Sequence, residues 1–231
     1  MHLLILDGQH LEAEFRQKFG SGHQYTFLPA GPGRLVDEIE EALPALEEAL
    51  PTVDFVFDFG NYGPLYEEKE GIVAFVEAAT ESLAGRFGAD KPQYPVFGFC
   101  GLPTLLNRPL LEVSLYETAD APALAAACAA LGTGYRVVAD RVGLLTPRVV
   151  SLLINEACYA LQEGTAPLAD IDQSLQLGAP RGPFAWADAM GVGRVYEVLS
   201  TLWDDTHDER YKVCPLLKRQ AQLGRPFGPD R

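Results

Sequence analysis

The chain has 231 residues, enough to bury a real core as one large domain or two small ones. A hydrophobic content of 48% and a charged content of 22% are ordinary for a soluble globular protein, and no apolar run of about 18 residues is present to span a membrane. The formal charge of −14 argues against nonspecific nucleic-acid binding and gives no general attraction for anionic cofactors.

In chain order, residues 2–6 (HLLIL) form a short apolar run closed by Asp7-Gly8, which predicts a buried strand. Leu11, Phe15 and Phe19 share one helical face and predict a helix over 11–19. Residues 25–28 read as a second strand, 29–33 as a turn, and 35–50 as an amphipathic helix with an acidic outer face. Residues 53–57 read as a third strand ended by the Gly- and Pro-containing segment 60–64, and 71–87 read as a helix. Later strands are expected at 95–99, 110–115 and 135–139, with an Ala-rich helix at 121–131. From Val142 the strand signal fades, and 148–164, 167–177, 186–204 and 215–223 read as helices. Asp170 and Asp172 lie early in the second of these, where carboxylates suit the helix dipole. Alternating strands and helices favour a parallel α/β sheet, so the expected organisation is a sheet domain over 1–139 and a helical domain over 140–231.

The N-terminal MHLLILDG has neither a basic n-region nor a long apolar core, so no signal peptide is read there. Cys100, Cys128, Cys158 and Cys214 are widely spaced without CxxC or CxxH patterns, which fits buried thiols in a reducing cytoplasm and no metal site.

The segment 140–164, DRVGLLTPRVVSLLINEACYALQEG, continues through DIDQSLQLGAPRGPFAWADAMG at 170–191 and PLLKRQAQLG at 215–224. It resembles the helical C-terminal domain of the 3-hydroxyacyl-CoA dehydrogenases, which oxidise a β-hydroxyacyl-CoA with NAD. Asn155-Glu156 matches the family's "NEA", Asp170-Ile-Asp172 its "DID", Gly178 its "LG", and Gly182-Pro-Phe184 its "GPF". Asp188 and Gly191 match "LLDxxG", and Leu216-Leu-Lys218 matches "PLLK". The resemblance implies an α/β fold in which a degenerate Rossmann-like parallel-sheet domain precedes an all-helical C-terminal dehydrogenase domain. It also implies homodimerisation through the helical domain.

The family's chemical positions are a different matter. Its first βα turn carries GxGxxG, whose glycines let the backbone approach a pyrophosphate. The matching positions here hold Asp7, Gln9 and Glu12 in DGQHLE, and an acid at that turn repels phosphate in a poorly solvated site. The second strand, YTFLPAG, lacks the terminal carboxylate expected to hold the adenosine ribose. Asp58 stands where the family has a strand-end Glu, and a strand-end Asp is more often a turn former than a catalyst.

Residues 98–113, GFCGLPTLLNRPLLEV, align without a gap to the family's GMHFFNPVPxMxLVEV. The family's His removes the hydroxyl proton and its Glu orients that His. Glu112 occupies the Glu position, but Cys100 stands at the His and Pro103 at the motif's Asn. A thiol, with an ordinary pKa near 8.5 that a carboxylate neighbour raises, is a poor proton acceptor at about pH 7. In GLLTPRVV the family's "NR" pair becomes Pro147-Arg148, so Arg148 alone is carried over as a substrate-side residue. No clear counterpart exists for the Ser of the family's NTSSL segment, Ser82 in Thr80-Glu-Ser82 being nearest.

The resemblance therefore implies a dehydrogenase homologue with Cys100 and Glu112 at the catalytic positions and without efficient NAD-dependent hydride transfer. No cofactor is expected, and acyl-CoA, a second copy or a catalytic dehydrogenase are the expected partners, with no nucleic acid and no membrane. The alternative is an active NAD-dependent 3-hydroxyacyl-CoA dehydrogenase. Thioester chemistry at Cys100 is a third reading, although none of His2, His10, His23 and His207 adjoins it in sequence.

Overall fold

The computed structural model describes residues 1–29, 36–60, 62–176 and 181–228, with 36–42 described as backbone. The turn expected at 29–33 and the match at Gly178 fall wholly or largely outside the described residues. The chain divides into two compact units: Met1–Gly101 with Leu105–Leu144, and Leu102–Thr104 with Leu145–Arg231.

The first unit is built on β1 (His2–Leu6), α1 (Glu12–Phe19), β2 (Gln24–Leu28), α2 (Val36–Ala49), β3 (Phe55–Asp58), β4 (Val73–Glu77), α3 (Leu83–Phe87), β5 (Val96–Phe99), β6 (Leu110–Leu115), α4 (Ala121–Ala130) and β7 (Gly134–Val138). The strands form one sheet in the order β2-β1-β3-β4-β5-β6-β7. All neighbouring pairs are parallel except β5 with β6. The sheet is thus mostly parallel, as expected, with one antiparallel step. A parallel return needs a crossover of about a dozen residues or more, and the short 100–109 connection carries no helix.

Successive side chains of a strand point to opposite sheet faces, so each central strand contributes to two cores. On one face Ile5, Phe57, Phe75 and Phe97 stand in register across four strands, with Phe57 and Phe75 stacked at 5.0 Å. Phe15 and Phe19 of α1 cover them, the face predicted from their spacing. On the other face Leu4, Leu6, Val56, Ala74, Val76 and Val96 pack beneath Leu46, Tyr62 and Tyr66.

One predicted helix is overturned. Residues 71–87 split into β4 and the short α3. In the run Val73-Ala-Phe-Val-Glu77 three of five residues are β-branched or aromatic, and it lies between two strands, so ladder pairing and two-sided burial override its helical spacing. Ser82 then starts α3 by accepting the Gly85 N–H at 3.0 Å. The Asp140 carboxylate accepts the next two free amides, Leu83 and Ala84, each at 2.9 Å.

His2 links three elements. Its ring nitrogens lie 2.8 Å from the hydroxyls of Thr52 and Thr26, and its N–H donates to Asp54 at 2.8 Å. Burial lowers the His2 pKa, with Asp54 opposing, and burial also lowers that of His23. The unfolded chain therefore binds more protons just below the ordinary histidine value. This contribution to stability is complete above about pH 6.5 and is lost as pH falls through the folded-state value. Unfolding free energy is expected to decline on acidification from about pH 7.5 to 5, and His2→Gln should flatten that slope. An unchanged slope in urea titrations of the variant would reject this origin.

The second unit comprises α5 (Thr146–Gln162), α6 (Leu168–Ser174), α7 (Pro183–Met190), α8 (Val192–Thr206) and α9 (Pro215–Leu223). The single helix expected over 186–204 is two, because Gly191 takes φ +93°, a left-handed conformation that ends one helix and begins the next. Helix α5 is central and packs against the other four.

Four of the residues shared with the dehydrogenase helical signature do structural work. Asn155 is buried and clasps a passing segment, donating to Lys212 O at 2.9 Å and accepting from Cys214 N at 2.8 Å. Asp172 caps α7 through the Phe184 N–H at 2.7 Å. Gly182 is required there because a Cβ would lie 2.2 Å from the Asp172 carbonyl oxygen. Asp188 accepts the N–H groups of Phe227 and Gly228 at 2.7 and 2.8 Å.

Candidate functional site

The chain passes from β2 on one side of β1 to β3 on the other, so the strand order reverses between β1 and β3. Doubly wound folds bind ligands at such a switch point, beyond the carboxyl ends of the strands. Asp7-Gly8 lies at the end of β1, Asp58 ends β3, Glu77 ends β4, and Cys100 follows β5.

Aromatic side chains fill this edge. Tyr62 is buried and donates its hydroxyl to Asp7 Oδ2 at 2.5 Å, with Asp7 at φ +61°. Phe59 packs edge-on to His10, Phe15 and Phe99. A Cβ on Gly8 would come 2.7 Å from the Phe59 ring, and one on Gly101 would come 2.4 Å from it. The glycine after β1 therefore makes room for an aromatic ring of the protein itself.

Asp58 is buried beneath the same turn. It accepts the N–H groups of Gly60 and Tyr62, each at 2.8 Å, and the Tyr66 hydroxyl at 2.9 Å. Burial pushes its carboxyl up, and these donors partly oppose the shift. Tyr66 is pushed well above the usual phenol value by burial and then by Asp58. Asp58 is thus the turn former its position suggested, holding the loop that carries Phe59 and Tyr62. Glu77 plays a similar part, accepting from Ala79 N at 2.9 Å and Gly101 N at 3.3 Å.

Cys100 and Glu112 are brought together. The antiparallel pairing sets Phe99 opposite Val113, and one step further Cys100 N–H donates to the Glu112 carbonyl at 3.2 Å. Directly opposed residues of an antiparallel pair share a sheet face, so the two side chains are cross-strand neighbours. Cys100 is 2% exposed, and Glu112 pairs in register with Arg136 on the other side. The arrangement can hold a carboxylate beside a small buried thiol.

Arg148 belongs to the helical unit, in the first turn of α5. Its guanidinium hydrogen-bonds the Tyr211 hydroxyl and lies 5.4 Å from that ring. Ser82 caps α3, which gives that candidate a local structural role. Sequence reasoning missed Tyr62 and Phe59 as occupants of the switch point. The available signal was an aromatic on either side of Gly60 in DFGNYG, at the end of a strand adjoining β1. Among the described residues, no cluster of His, Cys, Asp and Glu is arranged for a metal ion, and no helix is long and apolar enough to cross a membrane.

Comparison with known proteins agrees with the helical unit most directly. The family model described as "3-hydroxyacyl-CoA dehydrogenase, C-terminal domain" matches residues 143–228. The 3-hydroxyadipyl-CoA dehydrogenase of Escherichia coli K12 is 42% identical over 88 residues, covering 37% of this chain and 18% of that protein. A probable 3-hydroxybutyryl-CoA dehydrogenase of Bacillus subtilis is 36% identical over 89 residues, covering 38% of this chain and 31% of that protein. The chain thus spans a third or less of the length of these curated relatives.

Among solved structures, M. tuberculosis FadB2 superposes with a TM-score of 0.72 at 17% identity, covering 99% of this chain and 98% of that one. The (S)-3-hydroxybutyryl-CoA dehydrogenase PaaH1 from Ralstonia eutropha gives 0.68 at 17% identity, covering 96% and 94%. At that identity the likeness establishes the fold: a Rossmann-like sheet unit followed by a helical unit. Residues 143–228 thus match the C-terminal domain of 3-hydroxyacyl-CoA dehydrogenases.

Proposed function

We propose that this protein is a dehydrogenase homologue that acts as an acyl-CoA-binding or dimeric partner protein in acyl-CoA metabolism, without efficient NAD-dependent hydride transfer. The observation that carries the reading is the filled switch point. A pyrophosphate needs bare backbone amides at a helix N-terminus. The β1 turn instead offers Asp7 bonded to Tyr62, Gly8 packed against Phe59, and acids Glu12 and Glu14 in the first turn of α1. These residues do not fit a dinucleotide.

Cys100 adds to this. A buried thiol stands where the family's proton-accepting His would be, and its small side chain is a poor substitute for an imidazole base. The family residues that remain, Asn155, Asp172, Gly182 and Asp188, hold together the helices of the second unit. The curated relatives act on CoA thioesters by name, which is why an acyl-CoA is the proposed ligand.

Calorimetric titration with NADH and with acetoacetyl-CoA, beside a direct assay of hydride transfer, tests the reading. Acetoacetyl-CoA binding without NADH binding or turnover is the expected result. Cys100→His should also stay inactive, since the filled nucleotide crevice is the deeper obstacle. The juxtaposition of Cys100 and Glu112 favours one rival, an active NAD-dependent dehydrogenase. NADH binding with turnover abolished by Glu112→Gln would establish that rival and overturn the proposal.

A further inference from the structure

Two buried thiols lie in the helical unit. Cys158 lies on α5, Cys214 immediately precedes α9, and both side chains are fully buried. Residues 155, 158 and 162 are spaced i, i+3 and i+7, so they form one stripe along α5. Cys214 is anchored at both ends of that stripe. Its N–H donates to Asn155 Oδ1 at 2.8 Å, and its Sγ lies 3.6 Å from Gln162 Oε1. Gln162 also accepts the Leu216 N–H at 3.0 Å, which fixes the first turn of α9. Cys158 lies between the two anchors along that stripe, and Cys214 acts on its thiol electrostatically.

We propose that Cys158 and Cys214 form a disulfide site, oxidised by a peroxide and reversed by a dithiol, that fastens α9 to α5. The two sulfurs are not equivalent. Burial pushes the Cys214 thiol up, but the backbone N–H groups of Leu216 and Leu217 at the start of α9 partly oppose the shift. For Cys158, burial and then the neighbouring Cys214 both push the thiol up. Cys214 is therefore the attacking residue and Cys158 the resolving one.

In the first step the Cys214 thiolate attacks hydrogen peroxide. An S–O bond forms, the O–O bond breaks, hydroxide leaves, and Cys214 becomes a sulfenic acid. In the second, the Cys158 sulfur attacks the Cys214 sulfur. The S–S bond forms, the S–O bond breaks, and the thiol proton leaves with the hydroxyl as water. The two thiols lose two electrons, and the peroxide is reduced to water and hydroxide. Because both sulfurs are buried, the reaction waits on local opening around α9 and proceeds slowly.

The test treats the whole chain with hydrogen peroxide, then alkylates under denaturing conditions and maps the peptides by mass spectrometry. One cross-linked peptide pair joining Cys158 to Cys214 is expected, with Cys100 and Cys128 still alkylated. The thermal midpoint of the oxidised protein should rise by about 5 °C and return with dithiothreitol, because the cross-link restricts the unfolded chain. Cys158→Ser should leave Cys214 as a sulfenic acid that dimedone traps, and Cys214→Ser should leave Cys158 alkylatable. Oxidation of the wild-type chain to sulfinic or sulfonic acids without that cross-link, or a disulfide involving Cys100 or Cys128 instead, would overturn the proposal. The wild-type peptide map decides the matter even if a serine variant fails to fold.

Discussion

Alanine at Asn155 is expected to destabilise the helical unit by about 2–4 kcal/mol. The amide of Asn155 satisfies two backbone groups at once, the Lys212 carbonyl and the Cys214 N–H. Asn155 is 4% exposed, so water cannot readily replace it. A buried group left without a partner costs about 1–3 kcal/mol, and two are left here. The loss falls at the junction that holds α9 against α5. Asn155→Asp keeps the acceptor for Cys214 but turns a carboxylate oxygen toward the Lys212 carbonyl, so it should be nearly as damaging. Both tryptophans of the chain, Trp186 and Trp203, lie in the helical unit. Tryptophan fluorescence during urea unfolding therefore reports on this unit, and a midpoint equal to wild type would refute the clasp as a source of stability.

Alanine at Asp58 should destabilise the sheet unit by about 3 kcal/mol. Three donors lose their acceptor: the N–H groups of Gly60 and Tyr62 and the Tyr66 hydroxyl. Three orphaned donors at about 1–3 kcal/mol each exceed what is regained by no longer burying a carboxylate, so the net effect is a loss. The pH dependence has a definite sign. Burial raises the Asp58 pKa above its unfolded value, so the folded state holds the proton more tightly. Its contribution is greatest below the unfolded value of about 3.8 and declines as pH rises through the folded value. The variant should lose that decline. Far-ultraviolet circular dichroism of wild type and variant across this range reads both effects, and parallel pH curves would contradict the assignment. The same substitution loosens the turn that carries Phe59 and Tyr62, so its effect on NADH binding tests how firmly those rings hold the switch point.

Much of the fold was legible because it follows local rules. The run HLLIL, closed by Asp7-Gly8, reads as a buried strand, and Leu11, Phe15 and Phe19 cover the Phe57 and Phe75 face as their spacing requires. Residues 71–87 were not legible, because a short apolar run suits a strand or a helix equally until its neighbours are known. Likewise, an uninterrupted helical pattern over 186–204 concealed the left-handed glycine that divides it. At the candidate site the alignment alone paired Cys100 with Glu112, and the antiparallel register places them side by side. The role of Gly8 could not be read that way. Its neighbour in space, Phe59, is distant in sequence, and only packing reveals which atoms need the missing side chain.

The sequence by itself determined the ancestry of the helical unit and the identity of the residues at the family's chemical positions, since both are matters of residue type at fixed spacing. It also marked Asn155, Asp172 and Asp188 as matches to the family's pattern, although not what they hold. Tertiary structure alone decided what fills the end of β1, which carboxylates are buried, and that Cys214 is held against Asn155 and Gln162 of α5. These depend on close approach between segments far apart in the chain, where a few tenths of an ångström separate room for a ligand from room for a side chain.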